Sequence, residues 1–394
     1  MKNKIKVVIT SGYRWSYFQW FLLGFYELEK QGLIELKFYL PAASFLLSKL
    51  SNKKLLRVVD KIRRMFEVDS YNMDGYIEYF DSNHKRKKKF YTIDSADAPY
   101  LFDEKKLNSV DCYFKMQCPI DFEAEGFCLT DKIIIPWCDH EHVSPNLELT
   151  ERGERRVIKE LNKKKIRPLL NATRSLGTGI SYRVLKEGYD NYIKERKIYK
   201  SKKIMCYFGN ALGPKPEKNP IPDYDWEGDI MGYFKGKVCH PNEKRARIAD
   251  IVSKMDNTDS RIICKGNADG DTKRNKILEI PLEEFCGHVA EFQYNVNVSG
   301  YRMSIPSRFI ESMMVGTAIV TDKLKVRWFL PFDKEVIETT EMGYLLDEEV
   351  DWIKVKKDLE NLKESDSMEV IQCFEEKWQP IKVANYIIKT IQES

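Results

Sequence analysis

Residues Tyr294–Asp322 read YNVNVSGYRMSIPSRFIESMMVGTAIVTD, the most informative stretch of this sequence for the fold. An apolar run ends at Ser299-Gly300, a loop follows, and Pro306 stands where a helix would start. Gly316 stands where that helix would end, ahead of the buried run TAIVTD. Proline near a helix start and glycine just past its end are common helix boundaries. The stretch therefore predicts a strand, a short helix and a second strand, as in parallel α/β sheets.

The same alternation extends in both directions along the chain. KVVIT is followed by helical spacing over Trp15 to Glu29 and by the strand-like IELKFYLP. Further strands are predicted at GYIEYF, KKFYTID, CYFKM, KIIIPW, IMCYFG and RIICKG. Helices are predicted at residues 174–203, 242–255 and 282–292, and two more after Val350. Because 394 residues exceed one ordinary core, we expect two α/β domains, at residues 1–170 and 171–394.

Composition indicates a globular, intracellular protein. The chain is 43% hydrophobic, yet no stretch approaches the roughly 18 to 20 apolar residues of a membrane helix. The start MKNKIKVVITSGY lacks the apolar region of a secretory signal, so we expect a cytoplasmic location. Nine scattered cysteines without a CxxC pair fit reduced thiols rather than zinc ligands. A net charge of +5 does not imply a nucleic-acid partner.

The loop between Gly300 and the predicted helix is suited to a diphosphate. Free backbone N–H groups and the positive end of the helix dipole favour anions there. The segment Asn297 to Asp322 resembles the donor-binding signature of glycosyltransferases with the GT-B fold, including exostosin-like and bacterial polysaccharide enzymes. The resemblance implies two Rossmann-like domains facing each other across a cleft, with the acceptor side in the first domain and the nucleotide-sugar donor in the second.

Several donor-binding residues follow from this resemblance. Glu311 resembles the carboxylate that binds the ribose hydroxyls, and Arg308 resembles the arginine beside the donor phosphates. Their i, i+3 spacing places both on one helical face, although an ion pair on the helix surface would give the same pattern. Lys265 and Gly266 follow RIIC, where such enzymes often present a cation, although Lys265 could also be an ordinary exposed lysine at a strand end. Gly209 could admit the donor or form an ordinary turn. The predicted donor-binding set is Gly209, Lys265, Gly300, Tyr301, Ser307, Arg308 and Glu311.

One departure from the family pattern bears on stereochemistry. Many retaining enzymes of this fold carry two glutamates separated by seven residues, and the first would fall at Met303. The sequence therefore favours an inverting single displacement, in which a base deprotonates the acceptor hydroxyl. Asp94 and Asp97, in a segment that resembles a cleft-facing loop of bacterial polysaccharide enzymes, are the candidate bases, although aspartate is also a common helix N-cap.

Residues 139–142 (Asp-His-Glu-His) could bind a metal or supply a histidine base. These ligands are adjacent rather than helix-spaced, and the GT-B resemblance implies that catalysis needs no metal. We therefore expect neither a metal nor a resident cofactor, the nucleotide-sugar being a substrate.

A basic, amphipathic stretch over residues 44–67 has two interpretations. It is either a surface helix covering the sheet or a segment that contacts an anionic membrane. Its cations, with those of residues 85–89 nearby in sequence, could hold the enzyme at the inner leaflet, where a lipid-linked acceptor would lie. These basic positions are Lys49, Lys53, Lys54, Arg57, Lys61, Arg63, Arg64, Lys85, Arg86, Lys87, Lys88 and Lys89.

Taken together, the sequence predicts a glycosyltransferase of surface polysaccharide biosynthesis. A non-catalytic or regulatory nucleotide-sugar-binding protein of the same fold is the alternative. An NAD-dependent oxidoreductase is disfavoured, because SGYRWS rather than GxGxxG follows the first strand.

Overall fold

A computed structural model of the chain describes most of its length. The described residues are 4–12, 16–39, 72–96, 99, 102–120, 127–129, 155–172, 176–177, 179–196, 202–212, 241–265, 282–299, 304–324, 326–339 and 350–394. The predicted amphipathic stretch 44–67 and the predicted strand KIIIPW lie outside them. No helix within these ranges has the length and apolar content that crossing a membrane requires.

The described part of the chain is a mixed α/β structure with two main sheets. The first sheet contains β1, β2, β3, β4, β5 and β9 in the order β2-β1-β3-β4-β5-β9. Two short ribbons pair β6 with β14 and β7 with β8. The first nine strands are β1 Ile5–Ile9, β2 Ile34–Phe38, β3 Asn72–Phe80, β4 Arg86–Asp94, β5 Cys112–Lys115, β6 Cys118–Pro119, β7 Phe127–Leu129, β8 Arg155–Val157 and β9 Ile166–Pro168.

The first sheet is not entirely parallel, which corrects the Rossmann-type expectation for this half of the chain. Strand β3 runs antiparallel to both β1 and β4, whereas the β1–β2, β4–β5 and β5–β9 pairs are parallel. The reason lies in the five residues that join β3 to β4. The Asp81 carboxylate accepts hydrogen bonds from the backbone N–H groups of Asn83 and Lys85, and His84 has a φ of 58°. A connection this short forms a hairpin, because a parallel crossover needs a dozen or more residues.

The second sheet is parallel throughout, in the order β11-β10-β12-β13-β15. Its chain order is that of a doubly wound sheet, with one strand added on one side of β10 and three on the other. The predicted strands IMCYFG, RIICKG, YNVNVSG and TAIVTD all form here. The remaining strands are β10 Lys203–Leu212, β11 Thr258–Lys265, β12 Phe292–Asn297, β13 Ala318–Asp322, β14 Val326–Arg327 and β15 Val336–Thr339.

Helices flank the sheets and differ from the sequence prediction mainly in length. The predicted helix over 174–203 covers only 182–194, because Ser181 is extended. The tail holds three helices rather than two, with a π-helical turn at Phe374–Trp378. The helices are α1 Gln19–Lys30, α2 Glu104–Ser109, α3 Glu160–Lys163, α4 Tyr182–Lys194, α5 Pro241–Ser253, α6 Leu282–Val289, α7 Arg308–Met314, α8 Trp352–Glu360, α9 Ser367–Cys373 and α10 Pro380–Glu393.

The last helix packs against the first. Gly24 on α1 lies so close to α10 that a Cβ there would be 2.1 Å from the Pro380 carbonyl oxygen. The Trp20 indole N–H donates to the Trp378 carbonyl at 3.0 Å, and the Tyr79 hydroxyl donates to the Gln392 carbonyl at 3.1 Å. Helix α10 therefore packs against both α1 and the first sheet. The predicted boundary between two domains near residue 170 stays a prediction.

Candidate functional site

The second sheet has a topological switch point between β10 and β12, where successive connections leave in opposite directions. In open parallel sheets, ligands bind at the carboxyl ends of the strands at this point. The pairing of β10 with β12 extends from Lys203–Phe292 to Cys206–Asn295. A ligand site at this switch point would therefore lie beyond Cys206 on β10 and at the end of β12.

Arg308 lies at the switch point between β10 and β12. It begins α7, which follows the loop after β12, and its guanidinium Nη1 donates to the Phe208 carbonyl on β10 at 3.0 Å. Phe208 lies two residues past the last pair between β10 and β12. Burial raises the pKa of Tyr207, and the positive charge of Arg308 acts in the opposite direction. A guanidinium is thus placed at the switch point, where it could bind phosphate oxygens.

Glu311 lies one helical turn after Arg308 and is only 1% exposed. Helix α7 is held by the Asn295 amide, which donates to the Ser312 hydroxyl at 2.9 Å, and by its buried residues Phe309 and Met313. The Cys286 thiol on α6 donates to the backbone carbonyl oxygen of Glu311, with the sulfur and oxygen atoms 3.7 Å apart. Burial and, second, the Glu311 charge raise the pKa of Cys286 well above its usual value. The Glu311 carboxylate is therefore held in the protein interior beside α6.

Gly209 lies inside β10 rather than in a turn, which excludes the turn interpretation. A Cβ at this position would be 2.5 Å from the Tyr207 hydroxyl. Packing against that tyrosine is sufficient reason for glycine here. Ser307 is buried directly before α7, and Lys265 is the last residue of β11, at the carboxyl edge of the same sheet.

A buried polar cluster joins the ends of β12 and β13. The Asp322 carboxylate accepts hydrogen bonds from the Ser299 hydroxyl at 2.8 Å, the Ser299 backbone N–H at 3.2 Å and the Thr321 hydroxyl at 2.9 Å. The Asn297 amide in turn donates to the Thr321 hydroxyl at 2.9 Å. Burial raises the pKa of Asp322 to about 6, even though these hydrogen bonds oppose the shift. The cluster fixes the chain where the predicted donor loop begins.

The candidate base Asp94 ends β4 and forms a buried ion pair with Lys115, the last residue of β5. The Asp94 and Lys115 side chains are 3% and 0% exposed, and their charged atoms are 2.8 Å apart. The Tyr113 hydroxyl donates to the same carboxylate oxygen at 2.6 Å, and the Ala96 backbone N–H donates to the other at 2.7 Å. Asp94 therefore holds the beginning of the loop that leads to Asp97.

A second carboxylate at this edge escaped sequence analysis. Asp74, near the start of β3, accepts hydrogen bonds from the hydroxyls of Ser11 at 2.7 Å and Thr92 at 2.8 Å, and it pairs with Lys106. Only the antiparallel direction of β3 brings this residue to the carboxyl ends of β1 and β4. No local pattern marks it, whereas Lys115 could have been suspected as a lysine within the apolar run CYFKM.

The carboxyl edges of the two sheets meet at Ile305, in the loop before α7. The Gln117 side chain donates to the Ile305 carbonyl and accepts from its N–H, each at 3.0 Å. Asn171 donates to the same carbonyl at 2.8 Å. Gln117 and Asn171 follow β5 and β9 of the first sheet, and Ile305 follows β12 of the second. The geometry thus brings Asp94 and Arg308, predicted from distant stretches of sequence, to edges that touch.

Some predicted positions lie outside the described residues, namely Asp97, Gly300, Tyr301 and the four residues 139–142. In the remainder of the chain as described, no three His, Cys, Asp or Glu side chains form a group that could hold a metal ion.

Comparison with known proteins yields little similarity. No family model matches the chain, and no curated protein matches it. Among solved structures, the crystal structure of TarM aligns over 94% of this chain and 86% of that one, with 9% identity and a TM-score of 0.26. Similarity this weak carries no argument about fold or activity.

Proposed function

We propose that the chain is a cytoplasmic glycosyltransferase, which transfers a sugar from a nucleotide-sugar donor to a glycan or lipid-linked glycan in surface polysaccharide biosynthesis. The observation that carries the proposal is Arg308, the first residue of α7, whose guanidinium donates to the Phe208 carbonyl on β10 at the switch point of a parallel sheet. Nucleotides bind at such points, and a planar guanidinium suits phosphate. The GT-B resemblance of residues 297–322 supports a sugar nucleotide over a dinucleotide.

On the donor side, Arg308 would contact the diphosphate. Lys265 ends β11 at the same edge of the sheet, and Ser307 directly precedes α7. Gly300 and Tyr301, which come before Ser307 in the sequence, would help to bind the phosphates. Glu311 would accept hydrogen bonds from the ribose hydroxyls. Because Glu311 is almost fully buried, hydrogen bonds made there are stronger than in water.

On the acceptor side, the two candidate bases are not equivalent. Asp94 already accepts hydrogen bonds on both carboxylate oxygens and is paired with Lys115, so both oxygens are engaged by other groups of the protein. Its bond to the Ala96 N–H, with the Lys115 ammonium 3.4 Å from the Ala96 carbonyl, fixes the residue before Asp97. These contacts favour Asp97 as the base and Asp94 as the residue that positions it.

The proposed reaction is a single displacement. The acceptor hydroxyl oxygen attacks the anomeric carbon, the bond from that carbon to the phosphate oxygen breaks, and the base takes the hydroxyl proton. The nucleoside diphosphate leaves with the bonding electron pair, and Arg308 would stabilise its negative charge. With Met303 at the position of the first retaining-type glutamate, we propose inversion at the anomeric carbon. No metal or other cofactor takes part in this scheme.

A nucleotide-sugar-binding protein without catalysis is the second candidate function. The buried ion pair of Asp94 favours this second function, because it engages one of the two candidate bases and leaves only Asp97. The two functions share the donor site and differ in turnover. Release of nucleoside diphosphate that depends on an acceptor would establish the enzyme.

Peripheral contact with an anionic membrane is part of the proposal, but the five described members of the twelve basic residues offer it limited support. Arg86 pairs with Glu78 at 2.6 Å and Lys87 with Asp81 at 3.6 Å, whereas the Lys89 ammonium donates a hydrogen bond to the backbone oxygen of Ser394. Lys88 lies 3.8 Å from the centre of the Tyr76 ring. Acidic side chains thus pair with two of the five cations in residues 85–89, and attraction to a membrane would depend mainly on the others.

A thermal-shift screen against UDP-, GDP-, CMP- and dTDP-sugars tests the proposed function, since a ligand that binds only the native state raises its melting temperature. Arg308→Ala should reduce the affinity of the best donor roughly 10- to 100-fold, as expected when a charge-assisted hydrogen bond is lost. Arg86→Ala, which removes an exposed guanidinium from β4, is the matched control and should bind like the wild type. Stabilisation by no nucleotide, or equal affinity in Arg308→Ala, would contradict the donor site.

A further inference from the structure

Gln117 is a buried amide that makes a two-point contact with a single residue. Its side chain is almost fully enclosed, at 2% exposure, and meets both the N–H and the carbonyl of Ile305 at 3.0 Å. A proline follows Ile305, and the residue before proline is disfavoured in the helical region and favoured in an extended one. An extended residue presents its N–H and carbonyl on the same side, as in a hydrogen-bonded pair of antiparallel strands. The Gln117 carboxamide therefore takes the place of a partner strand.

Ile305 is the residue whose position matters for the site, because Arg308 begins α7 three residues later. The Asn171 amide adds a third hydrogen bond, to the Ile305 carbonyl at 2.8 Å, and the Ile305 side chain is fully buried. The amino side of α7 is thus tied to residues that follow β5 and β9 of the first sheet.

The carboxyl side of α7 has separate anchors. The Arg196 guanidinium donates to the Met314 carbonyl at 2.6 Å, and the Lys202 ammonium donates to the Gly316 carbonyl at 2.9 Å. The Asn295–Ser312 hydrogen bond holds the middle of the helix against β12. Loss of the Gln117 contacts would therefore release the start of α7 while its remainder stays packed on the second sheet.

We infer that Gln117 is a positioning residue for donor binding: through Ile305 it fixes the turn that places Arg308 at the switch point, and so couples the first sheet to the donor site. The inference rests on the proposed function, since it assigns to Gln117 a share of the nucleotide affinity. Gln117 itself is not proposed to touch the donor.

The test compares two buried glutamines. Gln117→Met keeps the length of the side chain and removes both hydrogen bonds to Ile305. Gln19→Met is the matched control, because the Gln19 amide on α1 likewise donates to backbone carbonyls, of Gly177 at 2.7 Å and Gly179 at 3.1 Å, and accepts from the Leu176 N–H at 2.7 Å. Both variants lose comparable backbone anchoring, but only one loses it beside Arg308.

Two measurements are made on the full-length chain: titration calorimetry with UDP and with GDP, and hydrogen exchange of the peptide covering residues 304–314. Gln117→Met should bind the preferred nucleotide roughly 5- to 30-fold more weakly and exchange faster in this peptide, as expected for one or two lost hydrogen bonds. Gln19→Met should match the wild type in both measurements, even with a similar loss of melting temperature.

Equal nucleotide affinity in Gln117→Met and the wild type would overturn the inference and leave the proposed function intact. Equal weakening in both methionine variants would also overturn it, by showing that affinity follows general stability. A wild-type chain that binds neither UDP nor GDP, and no sugar nucleotide in the thermal screen, would instead overturn the proposed function and the inference with it.

Discussion

The buried ion pair between Asp94 and Lys115 allows a quantitative prediction about stability. The two side chains are 3% and 0% exposed and 2.8 Å apart, so removal of one charge leaves the other without its partner in the interior. Breaking a buried pair in this way costs about 3 to 5 kcal/mol. We therefore expect Asp94→Asn and Lys115→Met each to lower the free energy of unfolding by this amount. The double variant should lose far less than the sum of the two, because it leaves no buried charge.

The same protein offers a matched control for this cycle. Lys334 and Glu369 are 2.7 Å apart, but their side chains are 62% and 46% exposed. An exposed pair contributes about 0.2 to 1 kcal/mol, since water screens both charges. Urea unfolding of the wild type, single and double variants at both sites gives the two coupling free energies.

The expected result is a coupling free energy of about 2 kcal/mol or more between Asp94 and Lys115, and below about 1 kcal/mol between Lys334 and Glu369. Similar small values at both sites would refute the reasoning, because Asp94 would then not depend on Lys115. Asp94 would in that case be free to act as a base, and the preference for Asp97 would lose its support.

Three further predictions concern the proposed donor side and acceptor side. Glu311→Ala should weaken nucleotide binding by roughly 1 to 3 kcal/mol in calorimetry, and unchanged affinity would remove Glu311 from the donor site. Burial raises the pKa of Asp322 from 3.8 to about 6 in the folded state, so its stabilising contribution is complete below pH 4 and is lost as pH rises through 6. The resulting stability difference of about 3 kcal/mol should be absent in Asp322→Asn, and identical pH profiles of unfolding for the two proteins would show that the shift is not real. Proton NMR of the product should show inverted anomeric configuration, with Asp97→Asn inactive and Asp94→Asn reduced. A retained configuration would exclude the single displacement.

The sequence by itself predicted the second sheet almost completely. The run from Tyr294 to Asp322 places β12, α7 and β13 correctly, because apolar periodicity, Pro306 and Gly316 act through local backbone geometry. Arg308 and Glu311 were predicted from the resemblance of this run to the donor-binding signature of GT-B glycosyltransferases. A parallel arrangement was also predictable, since helices separate the strands that form β10 to β13.

The direction of β3 was within reach of the sequence and was nevertheless missed. Five polar residues between two strands permit a hairpin but no helical crossover, and Asp81 supplies the side chain that caps the turn. The Rossmann expectation outweighed this local signal. Its consequence is substantial, because the reversal of β3 carries Asp74 to the same edge as Asp94.

Only the tertiary structure decided which polar groups meet. Gln117 and Ile305 are separated by 188 residues, and Arg308 and Phe208 by 100. Asp94 and Lys115 become partners through the register of β4 and β5. Local sequence patterns indicate the secondary structure of each segment and which face of a helix or strand is apolar. Contacts of this range depend on strand order, register and the packing of two sheets, which are properties of the whole chain rather than of any segment. The sequence therefore specified the elements and the candidate donor residues, whereas the register of β4 and β5 paired the candidate base Asp94 with a buried lysine.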